Sequence, residues 1–312
     1  MKHLLSIESL TAGEIEDLLV LGRRLKGLRS MPRHPTPLRG RTWALIFAKS
    51  STRTRVSFEV AIQEMGGHSL FLDVHDIHLG RGETIEDTAH VLSRYVHGAI
   101  IRTYAQNEVE TFACTGTIPV INALTDDEHP CQILADLMTW AERLQSTTKK
   151  RPKKICDLFH GKIAVFFGDA ACNVARSWIF AAARLHFCLR LAAPKKHQPP
   201  ANVLARVAKA EVVRFEDPRA AAEGADLLYT DTWISMGKEE EGQQRLHDLA
   251  PYQINTRMVH AAKPDALVMH CLPAYRGKEI SADTFEAHAN LIFDEAENRL
   301  HIQKAILSTL GH

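Results

Sequence analysis

At 312 residues and a formal net charge of +1, the chain can bury two cores of ordinary size. It carries no overall field to gather nucleic acid or an acidic membrane. No apolar run approaches the roughly 18 residues of a membrane span, and residues 1–6 lack a signal-peptide core, so a cytoplasmic location is expected. Six cysteines lie apart without a C-x-x-C pair, which reads as reduced thiols rather than a disulfide frame or zinc site.

Thr11 and Glu14 spell a capping box, and Ile15, Leu18, Leu19 and Leu25 continue an amphipathic helix to about Lys26. Pro32, Pro35 and Pro37 break the chain before an apolar run over 42–48 that predicts a buried strand. Ser50-Ser51-Thr52-Arg53-Thr54-Arg55 follows, then helical spacing from Val56 to Met65 that stops at Gly66-Gly67. Hydroxyls and two guanidinium forks thus stand where a strand hands over to a helix N-terminus. Free backbone N–H groups and the dipole favour an anion there, and phosphate suits the forks. There is no GxxxxGK[ST], so a nucleotide P-loop does not explain it.

Strand His68–Leu72 leads to a polar loop over 73–83, and Thr84 caps a helix carrying Ala89, Val91, Leu92 and Tyr95. Strand Gly98–Ile101 ends at Arg102, a helix covers about 107–114, and Ile118–Asn122 reads as another strand. His129 and Pro130 open a long helix to about Arg143. The basic stretch Gln145–Lys154 is the expected domain boundary. The alternation then restarts with strand Lys162–Phe167, the turn Gly168-Asp169 and helix Val174–Leu185. Further strands fit 188–192, 212–215, 226–230 and 266–269, a short one fits Leu291–Phe293, and Ala296–Leu310 reads as a closing helix. Alternating strands and helices predict an α/β chain of two similar domains, each a mostly parallel sheet flanked by helices, with ligands in the interdomain cleft. The expected division is 1–145, joined by the helix at about 295–312, and 146–294.

His129 and Gln132, three apart on a helix, can face one ligand together. Asn173 opens a helix after a turn, Asp231 ends a strand where a carboxylate can hold an ammonium group, and Ser235-Met236-Gly237 reads as a lid. His270-Cys271-Leu272-Pro273 ends another apolar strand. Adjacent residues rarely face each other, so His270 and Cys271 do not suggest a thiolate–imidazolium pair. His75 and His78 have the spacing of a metal pair but no third ligand, and no metal site is expected.

Together these segments resemble the ornithine carbamoyltransferases over essentially the whole chain. The matching stretches are Phe47–Glu59, Gly80–Ala89, His129–Asp136, Gly168-Asp169 with Asn173, Asp231–Gly237, His270–Pro273 and Glu297-Asn298-Arg299. The first and third are shared with aspartate carbamoyltransferases, whereas Ser235-Met236-Gly237 and His270–Pro273 discriminate for ornithine. The resemblance implies Ser51, Thr52, Arg53 and Thr54 on the phosphate of carbamoyl phosphate. It implies Arg102, His129, Gln132 and Arg299 at the carbamoyl end, with Cys271 and Leu272 also in contact. His78 would reach a neighbouring subunit's donor site. Asn173, Asp231, Ser235 and Met236 would bind ornithine, with Cys271 beside its side-chain amine. Arg53, Arg102, His129, Asp231, Cys271 and Arg299 would carry the chemistry. A homotrimer, open to further assembly, and a reaction needing no metal or organic cofactor are also implied. Ala48 and Cys172 depart from the family pattern, which often has Glu and a second Asn there.

The reaction so implied moves the carbamoyl group from carbamoyl phosphate to the δ-amine of L-ornithine, giving citrulline and phosphate. Three other readings stay open on the residues: a carbamoyltransferase for another amine, a silent regulatory relative, and a dinucleotide-binding oxidoreductase. The turn Gly168–Asn173 lacks G-x-G-x-x-G, which weighs against the last.

Overall fold

The computed structural model describes residues 1–31, 34–74, 82–148, 152–234 and 242–311. The chain divides into one unit of Met1–Met138 with Asn298–His312 and a second of Thr139–Glu297. Each has its own parallel sheet.

In the first unit, helix α1 (Ala12–Leu28) opens on the expected capping box, with the Thr11 hydroxyl and the Glu14 carboxylate each closing on the other's backbone N–H. The sheet is built from β1 (Thr42–Phe47), β2 (His68–Asp73), β3 (Gly98–Arg102) and β4 (Val120–Leu124), in the order β2-β1-β3-β4. β1 is apolar almost throughout because both of its faces are covered, as parallel strands require. Gly98 is needed where β3 meets β1, since a Cβ there would lie 2.4 Å from the Trp43 ring. The flanking helices are α2 (Thr52–Glu64), α3 (Ile85–Tyr95) and α4 (Gln106–Thr115). The start of α5 (Pro130–Thr147) and the end of α11 (Ala282–Leu310) complete the unit.

In the second unit, β5 (Ile163–Phe167) lies at the centre of the order β7-β6-β5-β8-β9. Its neighbours are β6 (Cys188–Ala192), β7 (Val212–Phe215), β8 (Leu227–Thr230) and β9 (Leu267–His270), all parallel. The connections run through α6 (Asn173–Leu185), α7 (Ala201–Ala205), α8 (Pro218–Ala222), α9 (Gly242–Leu249) and α10 (Thr256–Ala261). An aromatic cluster of Trp140, Phe159, Trp178 and Phe187, with centroids 5.1–6.3 Å apart, fills one side of the core. On the side opposite the strand C-termini, Asp226 accepts from Lys162 (3.2 Å), Lys263 (2.8 Å) and the Ile163 N–H (2.9 Å). This tie is structural.

Both sheets reverse their strand order, between β1 and β3 and between β5 and β8. Open α/β sheets bind ligands beyond the strand C-termini at such reversals. Two expectations are corrected. Leu291–Phe293 is not a strand but the middle of α11, which begins at Ala282 rather than 296. Phe285 and Ile292 are buried seven residues apart on one helical face, while Phe293 is 54% exposed; a short apolar run cannot by itself choose between the two periods. Helix α2 begins at Thr52, not Val56, so the hydroxyl-and-arginine stretch forms its first turn. Among the described residues, no helix is long and apolar enough to cross a membrane.

Candidate active site

The first unit gathers its candidate residues at the C-terminal ends of β1 and β3. Ser51 caps α2, its Oγ accepting the Thr54 N–H at 3.3 Å and lying 3.0 Å from the Thr54 hydroxyl. The first turn of α2 holds no acidic residue, so nothing there offsets the positive end of its dipole. Arg53 and Thr52 are exposed on this turn and Thr54 is buried. Arg55 does not join them: it bonds Glu59 at 3.0 Å and lies over the Phe71 ring at 3.7 Å. Arg102 ends β3, where the register against β4 shifts between Ile101 and Arg102 and re-aims the side chain. Its carbonyl accepts the Ala48 N–H at 2.8 Å, which fixes the loop leading into α2.

Arg299, carried by α11, donates to the Thr54 hydroxyl at 3.3 Å and to Oε1 of Gln132. The other end of the Gln132 amide donates to Asp136 at 2.8 Å, so the amide is held in one orientation. The i,i+4 spacing of Asp136 from Gln132 is the sequence signal of this contact. Arg102 and Arg299 are 9% and 5% exposed. Burial, then the neighbouring charges of Arg299 and Arg53, lower the Arg102 pKa to about 10. Burial and the same guanidinia, Arg299 first, hold His129 well below the usual imidazole range. The ring is neutral at pH 7 and can serve a carbonyl oxygen or an amide-like N–H without adding charge.

That neutrality has a measurable sign. The unfolded chain protonates His129 below about pH 6.5 while the folded chain does not, so the unfolded state binds more protons and stability falls as pH drops from there. His129→Gln should therefore flatten the loss of stability between about pH 7 and about pH 5 in urea titrations. An unchanged slope would show that the folded ring takes up the proton.

In the second unit, the ends of β5, β8 and β9 meet. The register pairs Phe167 with Thr230 and Thr230 with His270, so Asp231 and Cys271 leave adjacent strand ends together. The Cys271 thiol donates to Asp231 Oδ1 at 2.8 Å, and the Thr232 N–H donates to the same oxygen at 2.6 Å. Burial raises the Asp231 pKa above the usual carboxylate value, against the opposing pull of the thiol bond. A cation placed beside it restores the charge it is short of.

The His270 imidazole turns away from the thiol. Its Nδ1 accepts the Leu272 N–H at 2.9 Å, so Nε2 carries the proton and donates to Glu279 at 3.1 Å. Leu272 is in the left-handed region at φ 58°, followed by a cis Leu272–Pro273 peptide bond. Glu279 gives no signal in the sequence; tertiary structure alone brings it to His270.

Asn173 opens α6 and bonds the Val174 N–H at 2.9 Å. Cys172 is the N-cap, its sulfur accepting the Ala175 N–H at 3.4 Å. Burial, then Asp231 and Asp169, push the Cys172 thiol well above its ordinary pKa, so it is protonated. The turn before it is braced. Burial acts against the Asp169 charge, but His197 and Arg245 outweigh it and hold the carboxyl at about 2. Arg245 also donates to the Trp233 carbonyl at 2.9 Å. The Trp233 indole packs on Gly168, at φ 109°, where a Cβ would come within 2.6 Å of Nε1. His75, His78, Ser235 and Met236 lie outside the described residues. No group of three or more His, Cys, Asp or Glu that could hold a metal is present among the described residues.

Comparison with known proteins matches residues 2–142 to "Aspartate/ornithine carbamoyltransferase, carbamoyl-P binding domain" and residues 160–310 to "Aspartate/ornithine carbamoyltransferase, Asp/Orn binding domain". The ornithine carbamoyltransferase of Akkermansia muciniphila is 52% identical, covering 100% of this chain and 98% of that protein. The ornithine carbamoyltransferase of Syntrophus aciditrophicus is 47% identical, covering 99% of each. Among solved structures, the ornithine carbamoyltransferase from Pyrococcus furiosus superposes with a TM-score of 0.89 at 41% identity, covering 98% of this chain and 96% of that one.

Proposed function

We propose, on the premise that the chain belongs to the aspartate/ornithine carbamoyltransferase family, that it transfers the carbamoyl group of carbamoyl phosphate to the δ-amine of L-ornithine. The products are citrulline and phosphate. Ser51, Thr52, Arg53 and Thr54 take the phosphate, helped by the dipole of α2. Arg102, His129, Gln132 and Arg299 take the carbamoyl end, with Leu272 beside it. Asn173, Asp231, Ser235 and Met236 take ornithine, and Cys271 flanks the amine. In a homotrimer His78 acts at a neighbouring subunit's donor site. The enzyme works in the cytoplasm.

The amine attacks the carbamoyl carbon directly, negative charge gathers on the carbonyl oxygen and the departing phosphate, and the guanidinia stabilise it. Only the neutral amine is a nucleophile. With a lysine-like pKa of roughly 10.4, about one molecule in 2,500 is neutral at pH 7. Asp231 and the thiol bonded to it give that amine hydrogen bonds and an acceptor for the proton it loses.

The observation that carries the choice of amine is the contact of the Cys271 thiol with Asp231. A carboxylate with a neutral donor suits a side-chain ammonium or amine and repels a second carboxylate such as that of aspartate. Citrulline formation from carbamoyl phosphate and ornithine tests the proposal, with aspartate and putrescine as competing acceptors. Ornithine should be carbamoylated far faster than either. Faster use of aspartate or putrescine would overturn the assignment, and absence of any transfer would favour a silent regulatory relative.

A further inference from the structure

The turn that presents His129 is held by residues near the start of the chain. Leu4 pairs in parallel with Ile121 of β4, donating to the Val120 carbonyl at 2.9 Å and accepting the Asn122 N–H at 2.7 Å. The Leu5 carbonyl accepts from the side chains of Asn122 at 2.8 Å and Gln106 at 3.2 Å. The Ile7 N–H then donates to Glu128 Oε2 at 2.8 Å. Glu128 is 3% exposed and immediately precedes His129.

The turn itself is closed by Thr125. Its N–H reaches the Glu128 carbonyl at 2.9 Å, and its hydroxyl accepts the N–H groups of Asp127 at 3.3 Å and Glu128 at 3.2 Å. That hydroxyl donates to Gln106 Oε1 at 2.8 Å, joining the turn to the side chain that also holds Leu5. A carboxylate this buried is costly unless its acceptor sites are used. Its charge belongs to no step of the proposed transfer. One of its oxygens ties residue 7 to residue 128. The arm itself keeps its own attachment through Leu4 and Leu5, so loss of Glu128 frees the turn rather than the arm.

We propose that Glu128 is a positioning residue that locks the turn presenting His129 and Gln132 to the arm of residues 4–7. This rests on the reading of the first unit as the carbamoyl phosphate half of the reaction. Geometry at this level matters because misplacement of reacting groups by about 1 Å can cost about a hundredfold in rate.

The test is steady-state citrulline formation with each substrate varied in turn, for the wild type, Glu128→Ala, Glu128→Gln and Glu128→Asp, well below each melting temperature. Glu128→Ala should lower kcat about tenfold and raise the KM for carbamoyl phosphate by a similar factor, leaving the ornithine KM within about twofold. Glu128→Gln keeps an oxygen at the same reach for the Ile7 N–H and should recover most of the loss. Glu128→Asp keeps the charge but is a methylene short, and should resemble Glu128→Ala. Should the alanine variant not fold, the aspartate variant decides. Wild-type constants in folded Glu128→Ala or Glu128→Asp, or an equal rise in both KM values, would overturn the proposal. A wild-type chain without transfer activity sinks the functional reading instead. Glu128→Asp must then weaken carbamoyl phosphate binding by calorimetry, and unchanged carbamoyl phosphate binding would overturn the inference on its own terms.

Discussion

Arg102→Gln should lower kcat/KM for carbamoyl phosphate about a thousandfold, about 4 kcal/mol of transition-state stabilisation, while raising the melting temperature. The two readouts move oppositely because the residue is poised for an anion and poorly placed without one. Arg102 is 9% exposed, its Nε finds no hydrogen-bond partner among the described residues, and burial with two like-charged neighbours pulls its pKa to about 10. The folded chain carries that cost at rest. A neutral amide removes it, and each kcal/mol recovered shifts the melting temperature by about 2–4 °C in a folding unit of about 150–250 residues. Inorganic phosphate supplies the missing charge, so it should raise the wild-type melting temperature and raise that of the variant much less. A variant that keeps kcat/KM within about tenfold, or melts lower than the wild type, would remove Arg102 from the anion site.

Much of this site was legible in the sequence because local signals coincide with the topology. An apolar run followed by hydroxyls and guanidinia marks β1 turning into α2, and the end of β3 puts Arg102 on the same edge. Alternation alone fixed the class of fold. Local pattern failed where tertiary contacts decide. Arg55 looked equivalent to Arg53, but on a helix that begins at Thr52 it points to Glu59 and Phe71. Leu291–Phe293 could be read in either period until the length of α11 settled it. Arg299 reaches Gln132 across 167 residues of sequence, a contact no local pattern announces; family resemblance implies only that both serve the carbamoyl end. Glu279, Asp169 and Glu128 are buried acids whose partners lie on other elements, and no spacing rule announces them.

The second large effect is expected at Asp231. Asp231→Asn keeps the shape of the side chain and a donor–acceptor end but removes the charge, and should raise the ornithine KM about a hundredfold or more while carbamoyl phosphate affinity holds. Before substrate arrives, burial raises the pKa of this carboxyl, so its charge is held at a cost that a bound ammonium offsets. An amide offers the amine neither that attraction nor an acceptor basic enough for its proton. Both terms act on the amine, so kcat should fall as well. The falling limb on the acid side of the pH–rate profile should remain, since it reports the amine of ornithine itself losing its proton. Cys271→Ser separates the thiol from the carboxylate: a hydroxyl can still donate to Oδ1, and the ornithine KM should change far less than in Asp231→Asn. If Asp231→Asn instead weakens both substrates equally, the carboxylate is holding the fold together rather than the amine. If Cys271→Ser costs as much as Asp231→Asn, the sulfur and not the charge carries recognition.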